Sequence, residues 1–104
     1  MVEVRGASIF LSKSLEPKFI QEQLGEDPRF DMSCRRNPDK TCPEFGKYSH
    51  LLEVELEGVD SEVDATQTMR EKLNAILRLA KTQAISAETV WAFEEQLDGN
   101  GRVA

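Results

Sequence analysis

The sequence predicts an α+β fold: a three-stranded antiparallel or mixed sheet with three helices packed on one face, in the order β-α-β-β-α-α. Three stretches carry that expectation. The run from Asp64 to Lys81 sets Ala65, Met69, Leu73, Ile76, Leu77 and Ala80 four, four, three, one and three residues apart. That spacing draws one apolar stripe along a helix of roughly 27 Å, about the width of a small domain. The run from Lys47 to Glu57 alternates instead, with Tyr48, His50, Leu52, Val54 and Leu56 on one face and Ser49, Leu51, Glu53, Glu55 and Glu57 on the other. A strand buried on one side and wet on the other reads this way. The opening Val2 to Leu11 is a second strand pattern, with Ala7, Ile9 and Leu11 at period two.

The remaining elements follow from local chemistry. Leu15-Glu16-Pro17 opens a short helix, because Pro17 at the first helical position gives up an N–H that has no partner there. Phe19, Ile20 and Leu24 form its narrow apolar face, Gly25 is its C-terminal cap, and Asp27-Pro28 prevents continuation. Arg29 to Arg36 reads as a strand with Phe30, Met32 and Cys34 on one side and Arg29, Asp31, Ser33 and Arg35 on the other. Asn37-Pro38-Asp39-Lys40 is a turn, followed by breakers at Pro43 and Gly46. Ser61 and Asp64 resemble a capping box before the long helix. A third helix is expected over Ala87 to Leu97, with Ser86 as N-cap and Val90, Phe93 and Leu97 at helical spacing. A split βαβ of ferredoxin-like type begins in the same way but needs a closing strand, and here the last helix takes its place.

Residues 1–104 make one domain by length, large enough to bury a core without disulfides or metal. No run reaches the roughly 18 apolar residues of a membrane span, and the N-terminus with Glu3 does not read as a signal peptide. A cytoplasmic location is therefore expected. In a reducing compartment Cys34 and Cys42 are thiols rather than a staple, although they flank Pro38 symmetrically, as hairpin partners would.

The net charge of −6 is unevenly placed. Residues 1–28 hold three bases and five acids, residues 29–50 five bases and three acids, and residues 51–104 five bases and eleven acids. An acidic C-terminal half repels phosphate backbones and suits a partner with a basic face. The acids expected to form that face are Glu53, Glu55, Glu57, Asp60, Glu62, Glu94 and Glu95. Trp91 sits beside the inner stripe of the last helix, where it either closes the core or anchors an interface.

Chemical signatures are sparse. Cys34, Cys42 and His50 are separated by seven residues each, without the close ligand pairs that zinc sites use, so no metal or other cofactor is expected. A single histidine and no Gly-x-Ser-x-Gly turn leave nucleophilic catalysis without its parts. Scattered glycines supply no phosphate loop. The local basic exception is 29–50, where Arg35, Arg36, Lys40 and Lys47 surround Phe45 and Tyr48. A basic hairpin with aromatics can stack on single-stranded nucleic acid.

The opening ASIFLSKSLEPKFIQEQLGEDPRF resembles a widespread bacterial domain of unknown function, which starts with a strand, a leucine–acid–proline helix start and a helix ending in Leu-Gly. Leu15, Glu16, Pro17, Ile20, Leu24, Gly25 and Pro28 carry the resemblance, and LLEVELEGVDSEVDATQTMREKLNAIL is similar in layout. The family has no established chemistry, and some of its kind look like accessory or immunity-type proteins. The expected function is accordingly non-enzymatic: an inhibitor, adaptor or immunity-type protein, of the sort phages and mobile elements encode, that docks on another protein. Its three strands leave sheet edges open to a homodimer or to strand addition by a partner. The alternative is an accessory protein that contacts nucleic acid through the basic hairpin.

Overall fold

The computed structural model describes residues 4–38, 41, 43–57 and 62–90. The chain runs β1 (Val4–Leu11), α1 (Pro17–Leu24), β2 (Phe30–Arg36), β3 (His50–Glu57), α2 (Glu62–Thr82) and β4 (Ala87–Val90). The four strands form one antiparallel sheet in the order β2-β3-β1-β4. This is the split βαβ arrangement with its closing strand present. Among the described residues, four strands and two helices replace the expected three and three.

The correction falls on Ala87–Val90, read from sequence as the start of a helix. It is instead a strand paired with β1, Ala87 opposite Leu11 and Val90 opposite Ser8. Two causes combine. β1 has a second edge whose N–H and C=O groups require partners, and the approach to β4 is built to supply them. Ser12 N donates to Ser86 O (2.9 Å), and Ser86 N donates back to Ser12 Oγ (2.8 Å). Serine at position 86 therefore starts a ladder rather than capping a helix. Just upstream, α2 is terminated two residues past Thr82 by Ala84, whose φ of 59° lies in the left-handed region. Ile85 N donates to Ala80 O (2.9 Å) and Ala84 N to Lys81 O (3.1 Å), the paired bonds of a Schellman motif. The chain reverses there and lays residues 87–90 along β1. Phe93 and Leu97, the rest of the expected helical spacing, lie outside the described residues.

Both helices lie on one face. Ala7, Ile9 and Leu11 of β1, Leu52, Val54 and Leu56 of β3 and Phe30 of β2 meet Ile20 of α1 and the α2 stripe Ala65, Met69, Leu73, Ile76 and Ala80. Leu15, Leu79 and Ile85 complete this core, while Leu77 is only partly buried. Pro17 opens α1 and Gly25, at φ 90°, ends it, as expected. Leu24, expected on the inner face, is exposed.

Candidate functional site

The side of the sheet that carries no helix among the described residues is the surface on which the candidate acids of β3 lie. Period two along β3 sends Leu51, Glu53, Glu55 and Glu57 to this side while Leu52, Val54 and Leu56 enter the core. Cross-strand pairing then builds it in rows. Arg35, Leu51, Phe10 and Glu88 share one row, and Ser33, Glu53, Ser8 and Val90 the next. Asp31, Glu55 and Gly6 form the third.

The first row is closed over. Phe10, Tyr48 and Leu51 form a second buried cluster, with Phe45 and Val90 packed against it. Phe10 stacks on Phe45 with ring centroids 4.5 Å apart. Tyr48 was expected on the same face as His50 and Leu52, and the structure places it on the opposite one. The cause is local: residues 43–47 form turns, so regular alternation begins only at His50. Asn37, buried within the loop, donates through Nδ2 to Phe45 O (2.8 Å) and Tyr48 O (3.0 Å) and holds the segment down. Tyr48 Oη donates to Glu88 Oε1 (3.2 Å), and burial together with that carboxylate pushes the phenol above its usual range.

Rows two and three remain open and acidic. Glu53 carries an ion pair from Arg35 Nε (3.3 Å). Glu55 and Glu57 are exposed, and neither has an ion pair among the described residues. Asp31 is directly opposite Glu55, an arrangement of like charges that raises the energy of the isolated sheet. Gly6 on the other side of Glu55 adds no side chain. It leaves a shallow depression of about 180 Å³ lined by Gly6, Ser8, Glu53 and Glu55.

The other expected site residues are distributed as follows. Glu62 is the first residue of α2, in the helix layer. Asp60, Trp91, Glu94 and Glu95 lie outside the described residues, as do Lys40 and Cys42. The basic hairpin is divided: Arg35 turns to the open face, while Arg36, paired with His50, turns to the helix side. Lys47 Nζ stands 5.4 Å from the Tyr48 ring centre. Cys34 lies half-buried on the core face, with Sγ 3.8 Å from Ser14 Oγ. His50 Nδ1 is 2.8 Å from Ser49 Oγ, whose hydroxyl donates to Ser12 O (2.9 Å). No carboxylate is hydrogen-bonded to His50, and no group of three metal-ligating side chains occurs, among the described residues.

A second concavity of about 330 Å³ lies between the β1–α1 connection and the end of α2, lined by Lys13, Ser14, Leu15, Glu16, Phe19, Gln83 and Ile85. Its Glu16 accepts a hydrogen bond from Ser14 Oγ. No helix among the described residues is long and apolar enough to cross a membrane. No family model, no curated protein and no solved structure matches the chain.

The open face was only half legible beforehand. Glu53, Glu55 and Glu57 follow from alternation, but Asp31 is absent from the expected acidic face, because its position opposite Glu55 depends on register. A signal for the covered row did exist. Ile9-Phe10-Leu11 is an unbroken apolar run, and such a run implies cover on both faces.

Proposed function

We propose that this chain is a non-enzymatic protein-docking module, of an inhibitor, adaptor or immunity type, working in the cytoplasm. Its helix-free sheet face receives a partner protein with a basic surface. The observation that carries the reading is that Glu55 and Glu57 project from this face beside Asp31, and that among the described residues none of the three has an ion pair. Such a surface gains on meeting positive charge, because complementary potentials speed encounter and relieve the repulsion already present. The depression at Gly6 lets a partner's side chain or backbone come close to the sheet.

The basic hairpin favours nucleic acid less, because its arginines sit on opposite sides of the sheet and Arg35 is engaged by Glu53. The Ser49–His50 contact does not support catalysis, since the histidine has no carboxylate to orient it among the described residues.

The test is a pull-down from nuclease-treated lysate of the source organism, with the wild-type chain and Glu55→Lys/Glu57→Lys as parallel baits. These two acids have no ion pair among the described residues, so their reversal leaves the fold intact. A protein partner retained by wild type and lost by the variant is the expected result. A partner held equally by both baits removes the acidic face from the account. Recovery of nucleic acid in untreated lysate, with nothing left after nuclease, replaces protein docking with the basic hairpin.

A further inference from the structure

Strand β2 is an edge of the sheet, and among the described residues nothing pairs with its outer side. Ladder bonds from Glu57 N to Arg29 O (2.9 Å) and from Asn37 N to Ser49 O (3.0 Å) fix which residues face inward. Odd-numbered residues of β2 turn their N–H and C=O toward β3, so Met32, Cys34 and Arg36 turn theirs outward. The side chains of Met32 and Cys34 belong to the core face yet stay partly exposed, because the sheet stops there. On the opposite face Asp31 meets Glu55 and has no ion pair among the described residues, while Arg35, at the far end of the same strand face, makes a solvent-exposed pair with Glu53 that leaves its outer side open to a further carboxylate. A neighbour that brought both a strand and a cation beside Asp31 would answer both deficiencies.

We propose that this neighbour is a second copy of the chain, and that β2 pairs antiparallel with its own counterpart about a two-fold axis through Ser33. In that register Asp31 stands opposite Arg35 of the second copy, and Arg35 opposite the second copy's Asp31. Met32 meets Cys34, Phe30 meets Arg36, and all seven residues of the strand are paired. The outward backbone groups of Met32 and Cys34 fall at hydrogen-bonded positions. Asp31, Ser33 and Arg35 fall at the alternate positions, where Cα atoms approach to about 4.5 Å and opposite charges stabilise the pairing. A slip of two residues in either direction keeps the faces but sets Asp31 or Arg35 against Ser33 and loses both ion pairs. The interface is isologous, as a closed dimer requires. It joins two four-stranded sheets into one of eight strands, with all helices on one side. This assembly does not rest on the docking reading: it takes Asp31 and Arg35 at the margin of the open face and leaves Glu55 and Glu57 free to meet a partner.

Sedimentation equilibrium of the full chain at low salt, over a dilution series, tests the proposal. The expected mass rises with concentration toward twice the 11.7 kDa of the chain. Asp31→Arg or Arg35→Asp alone opposes like charges across the axis and raises the dissociation constant at least about tenfold, or ~1.4 kcal/mol. The double variant Asp31→Arg/Arg35→Asp restores opposite charges and brings the constant back toward wild type. Asp31→Arg also sets a cation opposite Glu55, so circular dichroism should show it folded; loss of the dimer is then not loss of the fold. Ser33→Cys, at the axis, forms an intermolecular disulfide on mild oxidation, whereas Ser8→Cys on inner strand β1 and wild type do not. A monomer at every concentration overturns the proposal. So does a dimer that ignores both charge variants and is not trapped through Ser33→Cys.

Discussion

Asn37 Nδ2 stands 3.0 Å from the carbonyl oxygen of Tyr48, and the same nitrogen donates to Phe45 O at 2.8 Å. One buried amide thus closes the loop that covers Phe10 and Leu51, and so divides the helix-free face into a sealed apolar part and an open acidic part.

Asn37→Ala should therefore cost about 2–4 kcal/mol, since two hydrogen bonds disappear and two carbonyls lose a buried donor. Urea unfolding reads that loss directly as a lower midpoint. Asn37→Asp is the sharper variant, because it keeps the shape but an ionised carboxylate has no proton to donate. It should be at least as unstable as the alanine variant at neutral pH. An aspartate variant as stable as wild type would show that shape, not donation, holds the loop.

The end of α2 yields a prediction of opposite sign. Ala84 occupies φ 59°, a conformation that costs an L-residue with a β-carbon about 1–2 kcal/mol and costs glycine almost nothing. The larger entropy of glycine in the unfolded chain offsets part of the gain. Ala84→Gly should leave the Schellman bonds from Ile85 and Ala84 in place and raise stability by about 0.5–1 kcal/mol, a few degrees in Tm. No change, or a loss, on thermal unfolding would mean that the residue does not hold this geometry in solution.

These two positions also show where the sequence could and could not be read. The α2 stripe Ala65, Met69, Leu73, Ile76 and Ala80 and the β3 alternation Leu52, Val54 and Leu56 were visible, because each reflects a period that burial imposes on one element. β4 was not visible. Four residues are too few for a period to establish itself, and the pairing that makes Ala87–Val90 a strand comes from the open edge of β1, far away in sequence at Ser8 to Leu11. An alanine at a left-handed helix end hides the stop that a glycine would have announced. Tyr48 was placed on the wrong face for a related reason: Asn37 holds the loop in turns, and alternation extended backward from His50 has no meaning there. Of the candidate site, Glu53, Glu55 and Glu57 were legible from β3 alone. The opposition of Asp31 to Glu55 was not, because it requires the register between two strands.

The last prediction concerns acid. Asp27 receives Arg29 Nε on Oδ1 (3.0 Å) and an Arg29 guanidinium nitrogen on Oδ2 (2.7 Å), with the Arg29 backbone N–H also on Oδ1 (3.1 Å). The side-chain hydrogen bonds of Arg29 do most to hold the Asp27 carboxyl down, to about 2 against an ordinary 3.8; burial works against them, and the backbone bond and the charges of Arg29 and Lys72 add to them. A carboxyl depressed by folding binds protons more readily in the unfolded chain. Its stabilisation is therefore whole above 3.8 and is lost as pH falls toward 2. The pair is half in solvent, so screening keeps the effect to about 1 kcal/mol or less. Asp27→Asn isolates it, since the amide oxygen still accepts the Arg29 N–H and preserves the turn into β2 while the charge is gone. The stability difference between wild type and Asp27→Asn, measured by urea unfolding from about pH 6 to about pH 2, should favour wild type at the upper end and close toward the lower. A difference that stays constant across that range would mean that the turn, rather than the ion pair, is what Asp27 contributes.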